Sequence, residues 1–150
     1  MFERFEEKRI DVGNATIHLR QGGTGSPLLL LHGYPQTHAS WHAIAPELTT
    51  EHTVVVPDLR GYGDSEGPSD PTTEQYANRV MAEDMVAVME SLGYDEYAVA
   101  GHDRGARVGY RFALDHPDRV TQLALLDIIP TLETVERMDY EYAHGMYHWL

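Results

Sequence analysis

The chain has 150 residues, 42% of them hydrophobic and 23% charged, which is the composition of a globular protein with one sizeable core. Eleven basic and 24 acidic residues give a formal net charge of −13, which argues against a nucleic-acid partner because polyanions are repelled. Cysteine is absent, which excludes disulfides, thiolate catalysis and cysteine-bound metals. The N-terminus is too charged for a signal peptide and no apolar run reaches membrane-spanning length. We therefore expect a soluble cytoplasmic protein that does not associate with membranes.

The pattern of apolar residues predicts strands that alternate with helices. A loose alternation over residues 10–20, with Gly13 and Asn14 inside it, predicts a hairpin. Four short apolar runs are typical of strands that are buried on both faces, and three segments have helical character. The predicted strands are 28–31, 54–56, 97–100 and 120–126, and the predicted helices are 40–48, 72 or 73 to 92, and 104–114. This alternation indicates a mostly parallel sheet with helices on both faces.

The sequence changes character near residue 131, where Glu, Tyr, Met and His become frequent. We interpret residues 131–150 as the start of a helical lid, or cap. Residues 1–130 would then form the N-terminal part of the α/β core that this lid covers.

The segment from Ala98 to Ala106 predicts a strand, a sharp turn and a helix, with Asp103 at the turn. Its small-x-nucleophile-x-small form, with Gly101 and Gly105, is that of a nucleophile elbow. The helix that begins at Arg104 favours an ionised carboxylate at its N-terminus. Such a carboxylate suits attack on a saturated carbon that bears a leaving group, which forms an alkyl ester on the enzyme. The alternative is that Asp103 only caps the helix.

Two further positions would complete the chemistry of this turn. The loop after the first buried strand is expected to supply one oxyanion donor, the backbone N–H of Tyr34, and the N–H of Arg104 would supply the other. His32, in the same loop, is interpreted as a structural residue. Asp127 ends the fourth strand on the functional edge of the sheet, where it could orient a catalytic histidine. The alternative for Asp127 is a loop residue that binds local N–H groups.

Two arginines and two lid residues are candidates for binding anions. Arg104 and Arg107 share one face of the helix and could hold a carboxylate bidentately, although salt bridges to the acidic surface are the alternative. His148 and Trp149 carry N–H donors that could solvate a departing halide, although packing of an amphipathic lid helix is the alternative. Salt bridges at the surface are the expectation for three further arginines, Arg79, Arg111 and Arg119.

Together these motifs resemble the haloacetate (fluoroacetate) dehalogenases of the α/β-hydrolase superfamily. The loops that begin at His32 and Asp58 are shared with epoxide hydrolases and haloalkane dehalogenases and indicate only the superfamily. The Asp-Arg-Gly-x-Arg cluster is more specific, since the related branches typically have tryptophan after the nucleophile. The matching segments are His32–Thr37, Asp58–Ser65, Gly101–Arg107, Ala113–Pro117, Asp127 and His148–Trp149.

The resemblance implies an α/β-hydrolase core with the start of a helical lid, and a hydrolytic dehalogenation. Asp103 would attack the halogen-bearing carbon of a small haloacid whose carboxylate the two arginines hold. A triad histidine supported by Asp127 would drive the release of a 2-hydroxy acid, while His148, Trp149 and a later lid tyrosine bind the halide. No metal or organic cofactor is implied.

The resemblance also implies that part of the enzyme is missing. In the family the catalytic histidine follows a late strand, far beyond the lid, whereas the last histidine here is His148. We therefore predict an incomplete fold, a segment that is inactive without its own C-terminal portion. The expected partners are that portion, a small haloacid substrate and, in a homodimer, a second copy of the chain.

Three alternatives stay open at this point. An epoxide hydrolase shares the nucleophile and the loop at His32, and its lid tyrosines could be found among Tyr140, Tyr142 and Tyr147. A non-catalytic hydrolase-fold segment could capture small acids without turning them over. The chain could also be one half of a split or intertwined assembly that another chain completes.

Overall fold

A computed structural model describes residues 1–145. Its centre is a six-stranded sheet in the order β1-β2-β4-β3-β5-β6. β1 is antiparallel to β2, β2 is antiparallel to β4, and the strands β4, β3, β5 and β6 run parallel to one another. The strands are β1 (Glu6–Asp11), β2 (Thr16–Gly22), β3 (Ser26–Leu31), β4 (His52–Pro57), β5 (Tyr97–His102) and β6 (Val120–Leu126). The predicted mostly parallel sheet and the N-terminal hairpin are confirmed.

The helices lie where the sequence predicts them, but two of the predicted helices are interrupted. They are α1 (Ala45–Leu48), α2 (Asn78–Ser91), α3 (Arg104–Asp115), α4 (Thr131–Glu136) and α5 (Tyr140–Gly145). The single helix predicted over 40–48 is wrong, because a 3-10 turn at His38–Trp41 is separated from α1. Pro46 explains the break, since it lacks an N–H and its ring clashes with the carbonyl four residues earlier. The helix predicted to begin at residue 72 or 73 opens as a 3-10 turn and becomes α-helical only after Ala77, which is extended (ψ 146°).

The core occupies both faces of the sheet. On one face α2 and α3 pack through residues such as Met85 and Phe112 against Leu29, Leu31 and other strand residues. On the other face a second cluster joins the intervening residues of β3 and β4 to the N-terminal residues, the 3-10 turn and the start of α1. Its members are Phe2, Phe5, Leu28, Leu30, Trp41, Ala45, Val54 and Val56. β3 and β4 are therefore buried on both faces, as the apolar runs predicted.

The prediction that β6 is buried on both faces is wrong within residues 1–145. The strand pairs with β5 along one edge, and five of its seven residues are exposed. The physical reason is its position at the end of the sheet, where the described residues provide no strand beyond it. Within residues 1–145, no helix is long and apolar enough to cross a membrane.

Candidate active site at the Asp103 turn

Asp103 lies at a sharp turn between β5 and α3, with φ 50° and ψ −114°. Non-glycine residues adopt this region rarely, at a cost of order 1–3 kcal/mol, and such strain is concentrated at functional sites. The flanking glycines make the turn possible. A β-carbon on Gly101 would lie 2.4 Å from the Gly105 carbonyl oxygen, and one on Gly105 would lie 2.4 Å from that of Leu31. The strand, turn and helix predicted around Asp103 are present.

The carboxylate of Asp103 is bound by the loop that follows β3. The backbone N–H of Tyr34 donates to Asp103 Oδ1 over 2.8 Å, whereas the Asp103 side chain makes no capping hydrogen bond to α3. Gly33 allows the approach, since a β-carbon there would lie 2.7 Å from Asp103 Cβ. Of the two predicted donors, Tyr34 therefore contacts the carboxylate, while among residues 1–145 no hydrogen bond is found from the Arg104 N–H.

His32 fixes the start of this loop. Its ring is fully buried, with Nδ1 2.9 Å from the Gly33 carbonyl oxygen and Nε2 accepting from the Leu59 N–H over 3.0 Å. Nε2 must be unprotonated to accept, so Nδ1 carries the hydrogen and donates to Gly33. Burial lowers the pKa of His32, which favours this neutral form. The interpretation of His32 as a structural residue agrees with these bonds.

The two arginines after Asp103 differ in their surroundings. Arg104 is half-buried, and its guanidinium has no hydrogen bond or ion pair with any residue of the described range. Arg107 donates from Nη1 to Thr131 Oγ1 over 3.2 Å. Burial lowers the pKa of Arg107, and the nearby charges of Asp103 and Tyr142 oppose that shift. Among residues 1–145, the site therefore holds one guanidinium with a hydrogen bond to Thr131 and one without a hydrogen bond or ion pair, both near a carboxylate.

The three further arginines that the sequence analysis left as surface residues form ion pairs, as predicted. Arg79 and Arg111 both bind Asp115, and Arg119 binds Glu90.

Asp127 follows β6 directly and also has a positive φ, of 58°. Its side chain is 84% exposed, and its Oδ2 lies 3.6 Å from His102 Nε2. The Asp103 N–H donates to the Leu126 carbonyl oxygen over 3.1 Å, so the two acidic turns are tied together at the same edge of the sheet. The structure thus brings Asp127 near Asp103, while the predicted role of Asp127 stays a prediction.

His102, Gln36 and Tyr62 were not singled out by the sequence reasoning, although all three lie beside the predicted site residues. His102 contacts Gln36 and Asp127, as described below. The Tyr62 ring packs edge-on to the rings of His32, at 5.3 Å between centroids, and Tyr34, at 6.4 Å. Burial raises the pKa of Tyr62. Each of these residues lies within a motif shared with the resembling family, but spacing alone gives no signal for their contacts.

The predicted halide-binding residues His148 and Trp149 lie outside the described residues, as does Tyr147. Of the other two candidate tyrosines, Tyr140 is 85% exposed, and Tyr142 lies close enough to Arg107 to raise the pKa of its guanidinium.

A second polar cluster lies beneath the loop that begins at Asp58. The fully buried Asp58 carboxylate accepts from the ring and backbone N–H of His38, at 2.9 and 2.6 Å, from the His18 ring at 3.0 Å and from the Asp64 N–H at 3.0 Å. Burial raises the pKa of Asp58, but these bonds outweigh it and hold the pKa well below its usual range. Potential ligand atoms of His18, His38 and Asp58 lie within 4.8 Å of one another, as a metal site requires. The four donors already satisfy the carboxylate, so hydrogen bonding accounts for the cluster.

Comparison with known proteins places this chain in a family. Residues 26–150 match the model of the α/β hydrolase fold, and the chain belongs to that family.

The similar proteins include a dehalogenase and an epoxide hydrolase. The chain is 49% identical over 150 residues to a fluoroacetate dehalogenase of Burkholderia sp, covering 99% of this chain and 49% of the relative. It is 44% identical over 116 residues to a soluble epoxide hydrolase of Corynebacterium sp. (strain C12), covering 77% and 39%. A solved structure of a candidate α/β hydrolase from Nostoc sp PCC 7120 is 57% identical with a TM-score of 0.94, covering 99% and 52%. The chain thus spans about half the length of the relatives it matches.

Proposed function

We propose that this chain is the N-terminal part of a hydrolase that removes a halide from a small 2-haloacid by way of an ester on Asp103. The observation that carries the proposal is the environment of the Asp103 carboxylate. Oδ1 is fixed by the Tyr34 N–H at 2.8 Å, and a guanidinium without a partner in residues 1–145 follows in Arg104. This pairing of a nucleophile with an adjacent cation suits a substrate that carries both a leaving group and a carboxylate.

The two oxygens of Asp103 would have different tasks. Oδ2 attacks the halogen-bearing carbon, so that a C–O bond forms and the halide leaves with the electron pair of the broken bond. Water then adds to the Asp103 carboxyl carbon, and the negative charge develops on Oδ1. The Tyr34 N–H already lies within the 2.7–3.1 Å that stabilises such an oxyanion. Collapse of this intermediate restores the carboxylate and releases the 2-hydroxy acid.

The other predicted roles extend this proposal. Arg104 and Arg107 would hold the substrate carboxylate, and Asp127 would orient a catalytic histidine that takes the proton of the attacking water. That histidine, and the halide donors His148 and Trp149, lie outside residues 1–145, so the activity is proposed for the full-length protein. The two relatives that match nearly all of this chain are about twice its length, which supports proposing the activity for the full-length protein.

An epoxide hydrolase is the second candidate, and two observations favour it. The chain is 44% identical to the soluble epoxide hydrolase named above, and Tyr142 lies near Arg107 at the site. Epoxide opening would use the same Asp103 ester, with a tyrosine hydroxyl donating to the epoxide oxygen. The guanidinium of Arg104, which has no hydrogen bond or ion pair within residues 1–145, favours the haloacid, because an epoxide carries no carboxylate.

The deciding experiment compares both substrate classes on the full-length protein. Chloroacetate, fluoroacetate and styrene oxide are incubated separately, and halide, glycolate and diol are measured. The proposal predicts equal amounts of chloride and glycolate from chloroacetate, and neither with the isosteric variant Asp103→Asn. Diol from styrene oxide with no halide from either acid would contradict the proposal and establish the second candidate.

A further inference from the structure

His102, the residue before Asp103, connects the two loops that flank the nucleophile. β5 lies between β3 and β6 in the sheet, so the ends of β3 and β6 lie on opposite sides of the turn after β5. The imidazole has Nδ1 3.1 Å from Gln36 Oε1, in the loop after β3, and Nε2 3.6 Å from Asp127 Oδ2, in the loop after β6. The ring therefore contacts one group on each side of the nucleophile.

The hydrogen on Nδ1 can be assigned from the bonds around Gln36. The Gly33 N–H donates to Gln36 Oε1 over 3.1 Å, so this atom of the side chain is an oxygen that accepts. Since Gln36 Oε1 has no hydrogen to give, His102 Nδ1 must be the donor in its own contact. Nε2 then faces a carboxylate, and the contact with Asp127 is attractive when Nε2 also carries a hydrogen.

Gln36 in turn fixes the loop that supplies the oxyanion donor. Its side chain accepts from the Gly33 N–H, and its own N–H donates to the Gly33 carbonyl oxygen over 2.9 Å. These bonds close a tight turn that contains Tyr34, whose N–H is thereby directed at Asp103 Oδ1. The imidazole supports this turn directly as well, since a β-carbon on Gly33 would lie 2.9 Å from His102 Nδ1.

We propose that His102 is a positioning residue that holds the Tyr34 N–H on the oxyanion through Gln36, with its Nε2 lying 3.6 Å from Asp127 Oδ2 on the other side of the nucleophile. This inference rests on the proposed ester chemistry of Asp103. The charge on Oδ1 is greatest while water attacks the ester, so hydrolysis of the ester depends on His102 more than its formation does.

Two substitutions separate the two contacts of the ring. In His102→Asn the side-chain amide nitrogen can take the place of Nδ1 and donate to Gln36, but nothing reaches Asp127. In His102→Gln the amide nitrogen can take the place of Nε2 and donate to Asp127, but the contact with Gln36 is lost. His102→Leu removes both contacts. His116→Gln is the matched control, because the His116 ring lies at the far end of α3, where its Nε2 is 2.8 Å from the surface carboxylate of Glu83.

The kinetic test measures formation and hydrolysis of the Asp103 ester separately, by rapid quench and mass spectrometry of the full-length protein. For His102→Leu we expect hydrolysis to slow about tenfold while ester formation changes less than about twofold, as one weakened oxyanion donor would produce. His102→Asn should recover most of the hydrolysis rate, and His116→Gln should match the wild type. Hydrolysis by His102→Leu at the wild-type rate, or an equal loss in both steps, would overturn the proposal.

A second measurement needs no substrate and therefore separates this proposal from the proposed function. Amide hydrogen exchange at Gly33 and Tyr34, followed by NMR, should become about tenfold faster in His102→Leu and stay near the wild-type rate in His102→Asn. Unchanged exchange in His102→Leu would overturn the positioning role even if the ester forms. Absence of any ester on wild-type Asp103 with haloacid or epoxide would instead contradict the proposed function, while exchange still decides the role of His102.

Discussion

The backbone N–H of Tyr34 donates to Oδ1 of Asp103 over 2.8 Å, although the two residues are 69 positions apart in the chain. This bond divides the carboxylate into a fixed oxygen and an available one. An aspartate that only capped α3 would use its oxygens on the N–H groups of that helix, and Asp103 makes no such bond. The contact therefore supports the proposal that Asp103 is a nucleophile.

Replacing Gly33 tests the close approach that this bond requires. A β-carbon at residue 33 would lie 2.7 Å from Asp103 Cβ and 3.1 Å from its Oδ1, so Gly33→Ala must displace the loop. If one oxyanion donor is lost, kcat should fall about a hundredfold. Steady-state kinetics on the full-length protein measures the effect, and circular dichroism checks that the fold is kept. A folded Gly33→Ala protein with wild-type kcat would contradict the role of Tyr34.

Arg104 and Arg111 provide a matched pair on α3. Arg104→Gln should lower kcat/KM for chloroacetate by about thirtyfold, since a charged hydrogen bond to the substrate carboxylate contributes about 2 kcal/mol. Arg111→Gln should change it less than about threefold, because Arg111 is bound to Asp115 away from the nucleophile. Equal effects of the two substitutions would show that Arg104 acts through general charge and does not bind the carboxylate.

Asp58 should make the fold sensitive to acid. Its pKa in the folded protein lies below the ordinary value of 3.8, so the unfolded chain binds more protons near that pH. The stabilisation is therefore present above about pH 5 and is lost as the pH falls through 3.8 towards the lower folded pKa. Urea unfolding between pH 7 and 3 should show a steeper loss of stability in the wild type than in Asp58→Asn. Parallel curves would contradict this assignment.

Arg60 and Asp84 form a buried ion pair, so removing one partner should lower the free energy of unfolding more than replacing both. Arg60 Nε donates to Asp84 Oδ2 over 2.6 Å, and the side chains are only 1% and 4% exposed. Asp84→Ala leaves the guanidinium buried without its counter-ion and should lower the free energy of unfolding by about 3–5 kcal/mol. The double variant Arg60→Met, Asp84→Leu should lose less, because it buries no charge. A loss below about 1 kcal/mol in Asp84→Ala would contradict the expectation.

The parts of the site that the sequence predicted are those carried by contiguous motifs. The glycines around Asp103 follow from local strand–turn–helix geometry, which short spacing specifies, whereas the N–H of Tyr34 was predicted from the general rule that the loop after the first buried strand supplies an oxyanion donor. The Asp58 cluster could not be predicted in this way, because His18 reaches it from β2 across 40 positions. The contact of His102 with Asp127 likewise depends on the order of β5 and β6 in the sheet. The break before α1 could have been predicted from Pro46.

The most direct test of the account is the fate of oxygen in a single turnover of chloroacetate by the full-length protein in water labelled with ¹⁸O. If Asp103 forms the ester and water attacks its carboxyl carbon, the first glycolate released carries unlabelled oxygen from Asp103. The label then appears in the Asp103 carboxylate, where mass spectrometry of the peptide detects it. Label in the first glycolate and none in Asp103 would show direct attack by water on the substrate and would contradict the nucleophilic role of Asp103.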